Sequence, residues 1–97
     1  MIIVHDLFVC KPGNASKLAK LFKEAMAGYP EVKHILTDVT GQYNRVIMVT
    51  EYENLTAYEQ SFEKYRNPTP EMKAQEDKMK NYTEMYQTGG REIYRVM

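Results

Sequence analysis

Two of the strand-forming segments in this chain have no polar side. The run "IIVHDLFVC" (2–10) sets Ile3, His5, Leu7 and Val9 on one face and Ile2, Val4, Asp6, Phe8 and Cys10 on the other, because successive strand side chains point to opposite sides of a sheet. The run "RVIMVTEYE" (45–53) divides in the same way, Val46, Met48, Thr50 and Tyr52 against Arg45, Ile47, Val49 and Glu51. A sheet with one solvated face alternates apolar with polar residues, and these runs do not. Both faces of the sheet are therefore expected to be covered. The chain has 97 residues, enough for one domain spanning 1–97 but too few for a large core of its own. Its helices cover one face. A second copy of the chain is expected to cover the other, making the protein a homodimer.

The remaining elements follow from local chemistry. Lys11-Pro12-Gly13 stops the first strand, since proline cannot feed the ladder and glycine permits a turn. Asn14 stands where an N-cap belongs. Leu18, Phe22, Ala25, Met26 and Tyr29 then recur at helical spacing, with Lys17, Lys20, Lys23 and Glu24 on the wet side, until Gly28 and Pro30. The second strand is "VKHILTDV" (32–39), and a turn at Gly41-Gln42-Tyr43-Asn44 joins it to the third as a hairpin. Asn54 caps a short helix carrying Leu55, Tyr58, Phe62 and Tyr65 on one face. Asn67-Pro68 breaks the chain, and Thr69-Pro70-Glu71 restarts it with a cap, a proline at the first helical position and an early acid. The spacing of Met72, Met79, Tyr82 and Tyr86 predicts a longer helix up to a turn at Gly89-Gly90, and "REIYRVM" (91–97) reads as the last strand. The order βαββααβ predicts an α+β, ferredoxin-like fold: a four-stranded antiparallel sheet with helices on one face.

Several classes of function are excluded by composition. Thirteen basic residues balance thirteen acidic ones, so no positive field exists to neutralise phosphates, and nucleic acid is not an expected partner. No apolar stretch approaches the ~20 residues of a membrane span. The start of the sequence reads directly as a strand, with no cationic lead or cleavage site, which predicts a cytoplasmic protein. Cys10 is the single cysteine, without a companion for a disulfide or metal pair, and reads as a small strand residue.

The segments "FVCKPGNASKLAKLF", "EYENLTAYEQSF" and "GGREIYRVM" resemble the strand-to-helix steps and closing strand of the dimeric α/β-barrel superfamily. The likeness in element order covers nearly the whole chain and is greatest with the small NIPSNAP-like and antibiotic-biosynthesis-monooxygenase-like proteins. It implies two subunits whose sheets face one another as a barrel, with a pocket in each subunit between sheet and helices. It also implies a range of activities, from cofactor-independent quinol monooxygenases to members with none assigned, so fold alone does not select a function. The haem-degrading branch uses a strand-one asparagine, a tryptophan and a histidine. Here Asp6 stands in the asparagine's place, the chain has no tryptophan, and the helices after the hairpin contain no histidine. No cofactor is expected.

The candidate site residues are few. His5 and Asp6 are strand neighbours, so they point to opposite faces and do not form a dyad. The resemblance implies that Asp6 faces the pocket and His5 the barrel interior. Asp6 is the candidate catalytic residue, either a pocket acid or base or a carboxylate paired with a nearby Arg or Tyr. His34 is the other histidine; with a strand between, the two stand on the order of 10 Å apart, too far to share one zinc. Glu51 is either an acid within an apolar face or a residue of a wet strand end. Eight tyrosines and seven methionines are the most unusual feature of the composition. Tyr58, Tyr65, Tyr82 and Tyr86, with Met72 and Met79, read as core or as the roof of a pocket for a flat, partly polar aromatic molecule. Tyr82 is the candidate partner of Asp6 in catalysis, and His5, His34, Glu51, Tyr58 and Tyr86 are candidate ligand-binding residues. No metal site is expected. The function that results is a small dimeric protein binding an aromatic or quinone-like molecule and acting as a cofactor-independent monooxygenase. The alternative is a non-catalytic binding or assembly module.

Overall fold

A computed structural model of the chain describes residues 1–40 and 43–97. Four antiparallel strands, β1 (Ile2–Cys10), β2 (Val32–Thr37), β3 (Arg45–Tyr52) and β4 (Tyr86–Arg95), form one sheet in the order β2-β3-β1-β4. Helices α1 (Ala15–Ala25), α2 (Leu55–Arg66) and α3 (Pro70–Lys78) complete the α+β, ferredoxin-like arrangement expected from the element order. Among the described residues no helix is long and apolar enough to cross a membrane. Of the expected hairpin turn, Gly41 and Gln42 lie outside the described residues, as does the side chain of Tyr65.

The helix starts show how local chemistry is used and where it is not. Asn54 is extended and accepts a hydrogen bond from the Ala57 amide at 2.8 Å. Thr69 does the same for Met72 at 3.2 Å, with Pro70 at the first helical position. Asn14 occupies the expected place before α1, but its side chain makes no capping bond. Its backbone is already helical, at φ −102° and ψ −9°, whereas a capping side chain reaches back from an extended backbone. Gly13, at φ +84°, makes the turn instead. Asn54→Ala is therefore expected to cost about 1 kcal/mol in urea unfolding, and Asn14→Ala only a few tenths; equal losses would contradict this assignment.

The last third of the chain differs most from expectation. The predicted long helix stops at Lys78, a single 3-10 turn covers Tyr82–Glu84, and β4 begins at Tyr86 rather than at Arg91. Tyr86 is thus a strand residue, and Gly89-Gly90 lies inside the strand rather than at a turn. The reason is pairing: residues 86–90 are hydrogen-bonded along β1, Gly89 opposite Phe8 and Gly90 opposite Leu7. Gly89 is a glycine because of close approach, since a Cβ there would lie 2.6 Å from the Leu7 carbonyl oxygen. β2 also ends early, at Thr37. Asp38 turns away to accept from the Arg45 amide at 3.1 Å and to face its guanidinium at 3.6 Å, which fastens the base of the hairpin.

The helix-facing side of the sheet carries two separate apolar clusters. One gathers Cys10, Leu18, Phe22 and Val46 beneath α1, and the other joins Ile2, Val4 and Tyr58 beneath α2. Burial, aided by the nearby charge of Asp38, pushes the Cys10 thiol pKa up, consistent with a packing role. The opposite side of the sheet has no helix packed over it among the described residues. By strand register it presents Ile3, His5, Leu7 and Val9 with Ile47, Val49, Glu51, Leu36, His34, Glu92 and Tyr94. Leu36 and Tyr94 are 42% and 47% exposed there.

Candidate functional site

The two apolar clusters do not meet, and a cleft lies between them. Its floor is a row of directly opposed residues crossing the sheet: Met48 of β3, Asp6 of β1 and Arg91 of β4. Asp6 takes the place in the β1 alternation where Val4 and Phe8 supply apolar side chains to the clusters on either side. The larger part of the cleft measures about 570 Å³ and is walled by Phe22, Met26, Met79, Tyr82 and Tyr86; a separate groove of about 320 Å³ at the β2 edge is lined by Phe22, Met26, Val32, His34 and Ile35. A smaller chamber of about 180 Å³ adjoins it at the α2 end, under Tyr52, Tyr58, Ser61 and Phe62. Both are lined by Asp6, Met26, Met48 and Arg91.

Asp6 is engaged. Its Oδ1 accepts from Arg91 Nε at 2.6 Å, with the carboxylate largely enclosed and the Arg91 side chain half exposed. This hydrogen bond is the main cause holding the Arg91 guanidinium more firmly protonated, against the opposing effect of burial. The guanidinium also lies 5.7 Å from the ring centre of Tyr58 and 5.9 Å from that of Phe62, within cation–π range. The Tyr58 hydroxyl is buried and has no hydrogen-bond partner among the described residues. Burial raises its pKa, with Arg91 acting in the opposite direction, so the hydroxyl stays protonated and available as a donor. At the other end, Tyr82 and Tyr86 are stacked at 5.9 Å, and Phe8 packs edge-on to Tyr86 at 5.0 Å. A cleft of this kind offers thioether and ring surfaces to a flat molecule, with the charged groups confined to the floor.

Of the residues singled out in the sequence, the fold brings together Asp6, Tyr58, Tyr82 and Tyr86. It does not bring His5, His34 and Glu51 to them. His5 and His34 both stand opposite Val49 on the uncovered side of the sheet, and Glu51 stands opposite Ile3 on that side. His5 packs edge-on to Tyr94 at 5.1 Å, and the Tyr94 hydroxyl is hydrogen-bonded to Glu92. Among the described residues no three His, Cys, Asp or Glu side chains gather as a metal site.

Sequence reasoning missed Arg91, which reads simply as the first residue of a closing strand. Its partnership with Asp6 needs the β1–β4 register, for which the sequence carries no local sign. Met26 and Met48 were legible as inward-facing, but not as residues that both chambers share.

The fold is that of known proteins. An uncharacterized NIPSNAP domain protein from Burkholderia xenovorans superposes with a TM-score of 0.80 at 12% identity, over 100% of this chain and 95% of its own. A NIPSNAP family protein from Agrobacterium tumefaciens gives 0.78 at 13% identity, over 99% and 92%. A provisionally assigned antibiotic biosynthesis monooxygenase from Nitrosomonas europaea gives 0.61 at 13%, over 100% and 99%. At such identities the likeness is one of fold. No family model matches the chain, and no curated protein does.

Proposed function

We propose that the protein is a homodimer that binds a small aromatic or quinone-like molecule between sheet and helices and oxidises it with dioxygen, without a bound cofactor. One observation carries this reading: a cleft of about 570 Å³ lined by methionine and aromatic side chains, with an acid on its floor. Small-molecule sites have volumes of roughly 300–1,000 Å³ and this mixture of many apolar walls with few polar groups. The fold shared with proteins named as antibiotic biosynthesis monooxygenases agrees with it. In the proposed reaction Asp6 is the polar contact that takes a proton from the activated ring position, and Tyr82 is the hydroxyl beside the substrate. A ring methylene and dioxygen become a ring carbonyl and water; the substrate supplies the electrons, one carbon–oxygen bond forms and the peroxide bond breaks. Asp6→Ala is expected to reduce oxidation of an anthrone substrate by 100-fold or more, in line with the loss of a general base (about 10²–10⁴). Oxidation retained in that variant would count against the mechanism.

A second reading has its own support. Because Asp6 is already held by Arg91 at 2.6 Å, the pair equally suits a non-catalytic binding module in which it only orients a ligand. Native mass spectrometry of protein purified gently from its host separates the two, weighing the assembly and any retained molecule together. A bound molecule that fresh protein does not convert in air would favour the binding module.

A further inference from the structure

We infer that Arg91 and Tyr58 form a donor pair for an uncharged acceptor oxygen, so that the α2 end of the cleft selects a ring carbonyl over a carboxylate. This rests on the reading of the cleft as a ligand site and specifies which ligands it takes.

Arg91 is held in place but not used up. Its Nε is committed to Asp6, and the rings of Tyr58 and Phe62 lie 5.7 and 5.9 Å from the guanidinium carbon. Its Nη donors have no protein partner among the described residues. Next to it, Tyr58 is 9% exposed and lines the smaller chamber, and its hydroxyl has no hydrogen-bond partner among the described residues. Buried polar groups are nearly always paired, because leaving one unpaired in an apolar setting carries a desolvation penalty. A water molecule does not reach the hydroxyl oxygen, so an acceptor that satisfies it enters by the adjoining chamber and shifts the side chains that cover it.

Charge decides what kind of acceptor. Asp6 and Arg91 are the charged side chains among the described residues lining these two chambers, and they neutralise one another. A carboxylate arriving there adds a second negative charge beside Asp6, with no further positive charge among the lining residues to balance it. A carbonyl oxygen accepts from the same donors without that penalty. Thus Asp6, by neutralising Arg91, turns an arginine that would otherwise attract anions into a donor for neutral ligands. The ring attached to the carbonyl then rests on Met26 and Met48, which line both chambers.

The test uses isothermal titration calorimetry on the full chain with two probes of similar size, 1-tetralone (an uncharged aromatic ketone) and 1-naphthoate. 1-Tetralone is expected to bind at least tenfold more tightly. Tyr58→Phe is expected to weaken its binding about 5- to 10-fold, as for the loss of one buried hydrogen bond, while the melting temperature stays level or rises because an unpaired hydroxyl has been removed. Arg91→Lys, which keeps the charge but loses the planar fork, is expected to weaken it by a similar factor or more. Tighter binding of 1-naphthoate, or wild-type affinity for 1-tetralone in both variants, would overturn the donor pair and leave the cleft intact as a binding site. A fall in melting temperature in Tyr58→Phe would assign the hydroxyl a structural role instead and overturn its part. If neither probe binds the wild-type protein, both the donor pair and the cleft reading fail.

Discussion

Leu7→Glu is expected to leave the chain folded and break the dimer. Leu7 lies near the middle of the uncovered sheet face, opposite Ile47 on one side and Gly90 on the other. Within one chain it is only half-buried, so the new carboxylate can stay in water and the helix-side clusters are untouched. In the proposed dimer the same position is covered, and each subunit would bring an unpaired charge into the interface. Burying such a charge costs several kcal/mol per ion, and each ~1.4 kcal/mol is a tenfold change in dissociation constant. Sedimentation velocity is expected to find a monomer where the wild type is a dimer, with far-UV circular dichroism unchanged, or else insoluble protein from the exposed apolar face. A soluble dimer carrying Leu7→Glu would overturn the assignment of this face. A wild-type monomer would remove the assembly from the proposed function altogether.

The largest loss of stability is expected from the smallest change. Gly89→Ala adds one methyl group, and its carbon would sit 2.6 Å from the Leu7 carbonyl oxygen. The obstacle is backbone at the centre of the β1–β4 ladder, which no side-chain rotation relieves, so β4 has to move away from β1. Overpacking of this kind costs roughly 2–3 kcal/mol, and for a domain of this size that lowers the melting temperature on the order of 15 °C. Gly90→Ala is the control, since an added Cβ at Gly90 meets nothing within 4 Å. It is expected to change the melting temperature by a few degrees at most. Equal losses at the two positions would show that the adjoining strands are not packed as described. Because Gly89 also lines the cleft floor beside Arg91, the alanine variant is expected to lose ligand affinity together with stability.

Much of the architecture was legible wherever a segment's fate depends on its neighbours in sequence. The β-branched run at 2–10, the α1 stripe of Leu18, Phe22 and Ala25, and the break at Asn67-Pro68 all stand where local patterning puts them. Strand alternation alone separated His5 from Asp6, and the resemblance in element order, not the alternation, put Asp6 on the helix side. The failures fall where a distant partner overrides the local signal. Met79, Tyr82 and Tyr86 keep helical spacing, yet the chain leaves the helix after Lys78 because β1 offers an open edge for residues 86–95 to pair with. Gly89-Gly90 carries the composition of a turn, but only the approach of the Leu7 carbonyl reveals why Gly89 lacks a side chain.

The candidate site divides in the same way. That Asp6 would stand among apolar strand residues, on the face away from His5, was determined by the sequence itself, because alternation is a property of one strand; which of the two faces the helices cover is not. That the acid is tied to Arg91, that the clusters beneath α1 and α2 leave a cleft between them, and that the Tyr58 hydroxyl is buried with no hydrogen-bond partner among the described residues were decided only by the tertiary structure. Each depends on the register between strands or on the spacing between helices. Those distances are set by the packing of residues far apart in the chain, here Asp6 and Arg91, which no local pattern relates.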